Sequence, residues 1–519
     1  MKKVSKWVAL AIAVTLVFSL VGCGGEESAT GENTVKLFAN FGGDPQNPKD
    51  LDKYIFEKAA EATGVTIEWE LPPTSGYAER VQIMMASGEY PDAVFFPSLE
   101  DQGYRNAMDS EIVLDLTPYI TEETTPNLLK YSYDVSWDAV KYYGDDRIMA
   151  IPRTSLSRNE GCTVRSDFIE NVGFGEIFDR ENNDVDAAEF QEIARRITYD
   201  DPDGNGQNDT YGYGGFIDAF TQAFGPIEFA PRLFGDIGWS EYPNEEYKYM
   251  TPRYSRVSDS YKQQLQMTQD MYTAKLIDPD SPSLKSQDAV DRFNQGRTGM
   301  TAGFAGHLIT NQEKLNASVP DGEVGYIFGR DASGKVQGNN YSTGFLGQWC
   351  IFKNCENPEA ILKLFDWMLS DEAWNMTVYG VEGVNYDMQD GEKVYRSGEQ
   401  YTAPWADAML RRTGDFDYFT KAHRVKPEYE YKLPELEKVF NICQNTLVFS
   451  LDGGYNPPIS KDTAFINYNT KMAEEITKIS TGALPVSEYD NILEGWYQAG
   501  GEQYVQDMNA YIEKMQANN

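Results

Sequence analysis

Histidine is almost absent: the 519 residues hold two, His307 and His423. A serine or cysteine nucleophile working through an imidazole base therefore has little to draw on. HExxH, GxSxG, GxGxxG and the phosphate-loop pattern are missing too, which leaves the enzyme classes built on them without support. Cysteine is scarce, with five in the chain. Cys162, Cys350, Cys355 and Cys443 show neither CxxC pairing nor zinc-ligand spacing. A Cys350–Cys355 bridge and buried free thiols both fit these positions. Positive charge is short: 45 Lys and Arg face 81 Asp and Glu, for a net charge of −36. Such a surface repels phosphate backbones and anionic head groups, so neither nucleic acid nor electrostatic membrane docking is expected. After the first 22 residues no run is long and apolar enough to cross a bilayer.

The N-terminus does carry an apolar run. Lys2, Lys3 and Lys6 precede a hydrophobic stretch from Trp7 to Val21, too short and too poorly flanked for a membrane span. It ends in Leu20-Val21-Gly22-Cys23, which resembles a bacterial lipobox. Residues 1–22 then read as a lipoprotein signal peptide, Cys23 as the lipidated residue, and 23–34 as a polar tether. The body is expected outside the cytoplasm, on the outer face of the cell membrane.

The remainder reads as a folded α/β protein, with 41% hydrophobic residues. Strand patterns at 35–40, 65–69 and 91–96 alternate with helical patterns at 50–63 and 77–87, the two helices ending at Gly64 and Gly88. This alternation predicts a largely parallel sheet. A second alternation follows from Arg147 onward, with helices over 188–197 and 260–274 and strands over 299–303 and 345–352. Asn357-Pro358 caps another helix, and 434–518 is mainly helical.

One loop has the spacing of a calcium site. Asp201, Asp203, Asn205, Gln207 and Asp209 stand at positions 1, 3, 5, 7 and 9 of an EF-hand-like loop, with Gly206 at the sharp turn. Alternate oxygens in a tight turn converge on one point, as a seven-coordinate cation requires. Gly212 replaces the usual bidentate Glu at position 12, and Thr210 offers a carbonyl or hydroxyl. The expectation is a structural Ca²⁺ rather than a sensing one; an Asx-rich turn without metal is the competing reading.

Several segments, taken in order, resemble the extracellular solute-binding proteins of bacterial ABC importers, in the branch associated with oligosaccharides and uronates. They are Met84 to Val94, the loop Asp201 to Gly212, Phe293 to Met300, and Tyr379 to Tyr386. The resemblance implies a two-lobed, type II periplasmic-binding-protein-like fold with a multi-strand hinge and a ligand cleft between the lobes. It places 35–150 and 330–372 in an N-terminal lobe, and 151–329 and 373–519 in a C-terminal lobe. It further implies a monomer that closes on an oligosaccharide and delivers it to the permease. An aromatic plane buries the apolar face of a sugar while amides and carboxylates take its hydroxyls. On this basis Tyr77, Trp239, Phe304, Trp349, Tyr386 and Trp405 are candidate stacking residues. Asn40, Glu382 and Asn385 are polar candidates, and Arg165 a partner for a uronate carboxylate. Core packing competes for each aromatic. Two rivals share the composition: a glycosidase with two carboxylates about 5 to 10 Å apart, and a lipid-anchored sensor. Binding without catalysis is the expectation.

Overall fold

The computed structural model describes residues 33–39, 48–72, 76–99, 101–142, 145–154, 160–215, 229–242, 246–284, 286–336, 340–341, 343–395, 403–413 and 426–518. Asn40 and Cys23 lie outside them.

The alternating pattern of the first hundred residues folds as strands Thr34–Phe38, Thr66–Glu70 and Ala93–Phe96, joined by helices Asp50–Thr63 and Tyr77–Ser87. Both helices stop at a glycine in the left-handed region, Gly64 at φ 75° and Gly88 at φ 74°, where other residues are strained. The three strands pair in parallel. Phe345–Ile351 then adds antiparallel to Ala93–Phe96, and Ile151–Thr154 antiparallel to it in turn. The five-stranded order is Thr66, Thr34, Ala93, Phe345, Ile151. Ala93–Phe96 is buried along its whole length, as expected of a strand covered on both faces.

A second five-stranded sheet has Glu160–Arg165 at its centre. Val324–Gly329 and Thr298–Phe304 flank it antiparallel. Asp184–Val185 and Tyr211–Tyr213 pair in parallel at the two edges. Each sheet has its own apolar core, one around Phe38, Phe96, Trp349 and Phe365, the other around Phe168, Phe190, Ile197 and Tyr213. A third core gathers Trp239, Tyr249, Phe465 and Trp496 among the C-terminal helices Thr463–Ser480, Tyr489–Trp496 and Glu502–Asn518.

Two expected lobe boundaries need correction. Ile151–Thr154 belongs to the first sheet, although 151 was expected to open the second lobe. Residues 373–413 were expected in the C-terminal lobe, yet Ala403, Ala406, Met409 and Leu410 are buried in the first core, with Met376 and Val381 against it. The physical reason is a buried clamp. The Asp52 carboxylate accepts the backbone N–H groups of Trp405 and Ala406 at 3.0 and 3.1 Å, and that of Lys49 at 3.1 Å. It thereby joins the first helix to the start of helix Pro404–Met409. Burial raises its pKa to about 6.

Among the described residues no disulfide forms, so Cys350 and Cys355 are not bridged. No helix of the described residues is long and apolar enough to cross a membrane.

Candidate ligand-binding cleft

Ligands of open α/β sheets bind beyond the carboxyl ends of the parallel strands, so the pairing locates a site before any side chain is considered. In the first sheet Gln348 lies opposite Phe96, and Phe345 opposite Thr154. Thr154 therefore leaves that sheet at the carboxyl edge of its parallel strands. In the second sheet Glu160 lies opposite Phe304, the last residue of its strand, and Cys162 opposite Ile327, near the end of Val324–Gly329. Glu160 therefore enters at the carboxyl edge of that sheet. The five-residue link between Thr154 and Glu160 joins the two carboxyl edges.

At the first edge a bulge shapes the surface. The register of Phe345–Ile351 shifts between Phe345 and Gln348, and Gly347 adopts φ 85° with Phe95 packed against it. Leu346 is consequently turned out to solvent, and its carbonyl accepts the Arg153 Nη1 at 3.3 Å. Bulges re-aim side chains in this way next to binding sites. The sequence reading picked neither residue; the Gly347-Gln348 break in a mainly apolar strand was the available signal.

Of the stacking candidates, Phe304 is the one placed at a carboxyl edge. It is half-buried and meets His307 edge to face at 5.2 Å. Four others are corrected to core residues. Trp349 is fully buried, lies between Phe95 and Phe365, and donates its indole N–H to the Met409 carbonyl at 2.9 Å. Tyr77 is buried with its hydroxyl on the Phe95 carbonyl. Trp239 belongs to the third core, and Trp405 packs edge-on against Trp69. None of these rings has a free face for a sugar. Arg165 is corrected as well: it is 3% exposed, holds Asp167 at 2.8 Å and lies 3.8 Å above the Phe168 ring. Asn385 is buried, its amide oxygen accepting the Val381 N–H at 2.7 Å. Glu382 is exposed and Tyr386 half-buried, beside and within the hairpin of strands Tyr386–Gln389 and Glu392–Tyr395.

A cavity of about 360 Å³ spans the first body and the C-terminal region. Helix Gln102–Asp109 supplies Tyr104, Arg105, Met108 and Asp109, and the opposite wall is Gly453 to Asn456 with Lys461 and Tyr511. The signal for this wall was Gly453-Gly454-Tyr455-Asn456-Pro457-Pro458, a glycine- and proline-rich break inside a helical stretch.

The acidic loop is tightly turned. Asp201 sits at φ 47° and Gly206 at φ 81°. The Asp201 carboxylate accepts the N–H groups of Asn205 and Gly206 at 3.0 and 2.9 Å. The Asn205 amide donates to Asp203 at 3.0 Å and Asp209 at 3.2 Å. Among the described residues no three Asp, Glu, His or Cys side chains converge on one metal point. A neutral amide donor instead bridges two carboxylates, the place where a cation would act. Burial, together with Asp209 and Asp201 nearby, raises the Asp203 pKa. Gln207 donates its backbone N–H to the Asn205 amide oxygen at 2.7 Å. Thr210 is buried with its hydroxyl on the Ile197 carbonyl. Gly212 has a steric cause: a Cβ there would lie 2.3 Å from the Ala194 carbonyl oxygen of helix Ala187–Tyr199. No glutamate fits at that position.

Two sheets that turn their carboxyl edges to shared connections define a two-lobed binding protein. The chain belongs to the bacterial extracellular solute-binding protein family, whose model matches residues 42–373. It is 23% identical to the polygalacturonan/rhamnogalacturonan-binding protein YtcQ of Bacillus subtilis, over 97% of this chain and 98% of that one. It is 25% identical to lipoprotein LipO of the same organism, over 97% of each chain. Among solved structures it resembles the N-glycan transport solute-binding protein NgtS of Streptococcus pneumoniae, with a TM-score of 0.63, 15% identity, and coverage of 94% of this chain and 100% of that one. The alginate-binding protein AlgQ2, solved without calcium ion, gives a TM-score of 0.62 at 18% identity, covering 92% of this chain and 98% of that one.

Proposed function

We propose that this protein is the extracytoplasmic carrier of an ABC importer, which captures an oligosaccharide between its lobes and passes it intact to a permease. The observation that carries this reading is the placement of both carboxyl edges at the link between Thr154 and Glu160. The names of its relatives, which bind polygalacturonan or alginate, make an acidic saccharide the first ligand to try. Calorimetry against neutral and uronate oligomers, followed by mass analysis of the recovered sugar, tests it. Binding with full recovery is expected, and shortened products would replace the carrier with a glycosidase.

Lipidation of Cys23 would hold the carrier at the membrane. Cys23→Ser should release the chain to the culture medium; retention in the membrane fraction would rule the anchor out.

The loop oxygens of Asp201, Asp203, Asn205 and Asp209, with the Gln207 and Thr210 carbonyls, suit a structural Ca²⁺. Bound calcium would hold the turn before strand Tyr211–Tyr213. Chelation should lower the unfolding free energy by about 2 to 3 kcal/mol if calcium stood at about a hundredfold its Kd. Asp201→Ala should be insensitive to chelator. Identical melts of the parent protein with calcium and with chelator would exclude the site.

A further inference from the structure

The cavity between helix Gln102–Asp109 and the 453–461 segment reverses the sign of the molecule. Arg105, Lys141 and Lys461 line it with one carboxylate, Asp109, on a chain of net charge −36. Its volume of about 360 Å³ is within the range of small-molecule sites. Tyr455 and Tyr511 stack at 4.3 Å and 8° and give one wall a flat apolar surface. Two of the three cations are ion-paired with nearby carboxylates. Lys461 lies 3.6 Å from Asp109 with both side chains about half exposed, and Lys141 lies 2.7 Å from Asp138. The exposed Lys461–Asp109 pair is weak in water, so a ligand carboxylate can share or replace it at little cost.

The wall is also tied to the connections between the lobes. Gly454 adopts φ 72°, and a Cβ on it would lie 2.6 Å from Thr343 and 3.1 Å from Leu99. Thr343 is two residues before strand Phe345–Ile351, and its carbonyl accepts the Ser136 hydroxyl at 2.6 Å. A ligand filling the cavity therefore touches both bodies and favours the arrangement in which they meet.

We propose that this cavity is a subsite for a carboxylate-bearing sugar unit: Arg105 and Lys461 take the carboxylate, and Tyr455 covers the ring's apolar face. The proposal rests on the carrier reading and names the chemical class it selects. Guanidinium and ammonium donors give charge-assisted bonds to a carboxylate that a neutral sugar cannot form.

The test is calorimetry of the full chain with trigalacturonate and with a neutral galactose trimer, for the parent protein, Arg105→Gln, Lys461→Gln and Tyr455→Ala. Each charge-removing variant should weaken trigalacturonate binding about 10- to 100-fold and leave any affinity for the neutral trimer unchanged. Tyr455→Ala should weaken both. Parent affinity for trigalacturonate should fall as salt rises. Thermal melts that match the parent show that the two charge-removing substitutions leave the fold intact; if one does not fold, the other and the salt series still decide. Trigalacturonate bound equally by parent and both charge variants would overturn the subsite and leave the carrier reading standing. Binding of the neutral trimer alone would overturn the acidic class in the same way. A chain that binds no saccharide ends both.

Discussion

Trp349→Ala should lower the unfolding free energy by about 4 kcal/mol, the cost of emptying a closed aromatic site in a core that relaxes only partly. The ring is fully buried, with Phe95 at 5.4 Å and Phe365 at 5.3 Å. Its indole N–H also satisfies the Met409 carbonyl, so truncation leaves that acceptor buried and unpaired. Trp349→Phe keeps most of the packing and loses that bond; about 1 to 2 kcal/mol is expected. Urea melts separate the two. If Trp349→Ala unfolds at the parent's midpoint but no longer binds sugar, the residue belongs to the cleft and not to the core.

Asp52→Ala comes next, at about 3 kcal/mol, because three backbone N–H groups lose a buried acceptor at once. Two belong to the first turn of helix Pro404–Met409, so residues 403–413 should detach from the first core before the sheet itself yields. Proteolysis at low protease, with cleavage mapped to this segment, reports such local opening. The carboxyl titrates at about 6 in the folded protein, against an ordinary 3.8. A folded-state value above the unfolded one means that the folded chain holds the proton more tightly. Its contribution is therefore present at low pH and is lost as pH rises through 6. The stability gap between parent and Asp52→Ala should widen by about 1 to 2 kcal/mol on going from pH 7 to pH 5. Asp52→Asn should keep the bonds to Trp405 and Ala406, which share one oxygen, and show no such response. A gap that narrows on acidification would show that the clamp works as a charged cap.

What could be read from the sequence follows from the range of the forces involved. Periodicity and left-handed glycines act within a few residues, and helices Asp50–Thr63 and Tyr77–Ser87 lie where the apolar spacing, Gly64 and Gly88 place them. Spacing likewise located the sharp turn at Gly206. The aromatic candidates fared worse because a strand such as Phe345–Ile351, buried on both faces, carries no alternation to show where Trp349 points. Arg165 misled for a similar reason: its partner Asp167 is two residues away, yet only the fold buries the guanidinium. The lobe boundary at 373 failed because Asp52 and Trp405 meet across most of the chain's length. The cavity beside Tyr104 and Tyr455 arises from an equally distant encounter, with the Gly453 to Pro458 break as its one local trace.

The contact between Gly212 and the Ala194 backbone has an evolutionary consequence. Position 12 is the usual place to add the bidentate donor that distinguishes a tight calcium sensor from a weak one. Here any side chain would pry a strand from its supporting helix, so that position cannot supply the donor. On the proposed calcium reading, the loop would act as a rivet that fills where the ion is plentiful rather than as a switch that reads its scarcity.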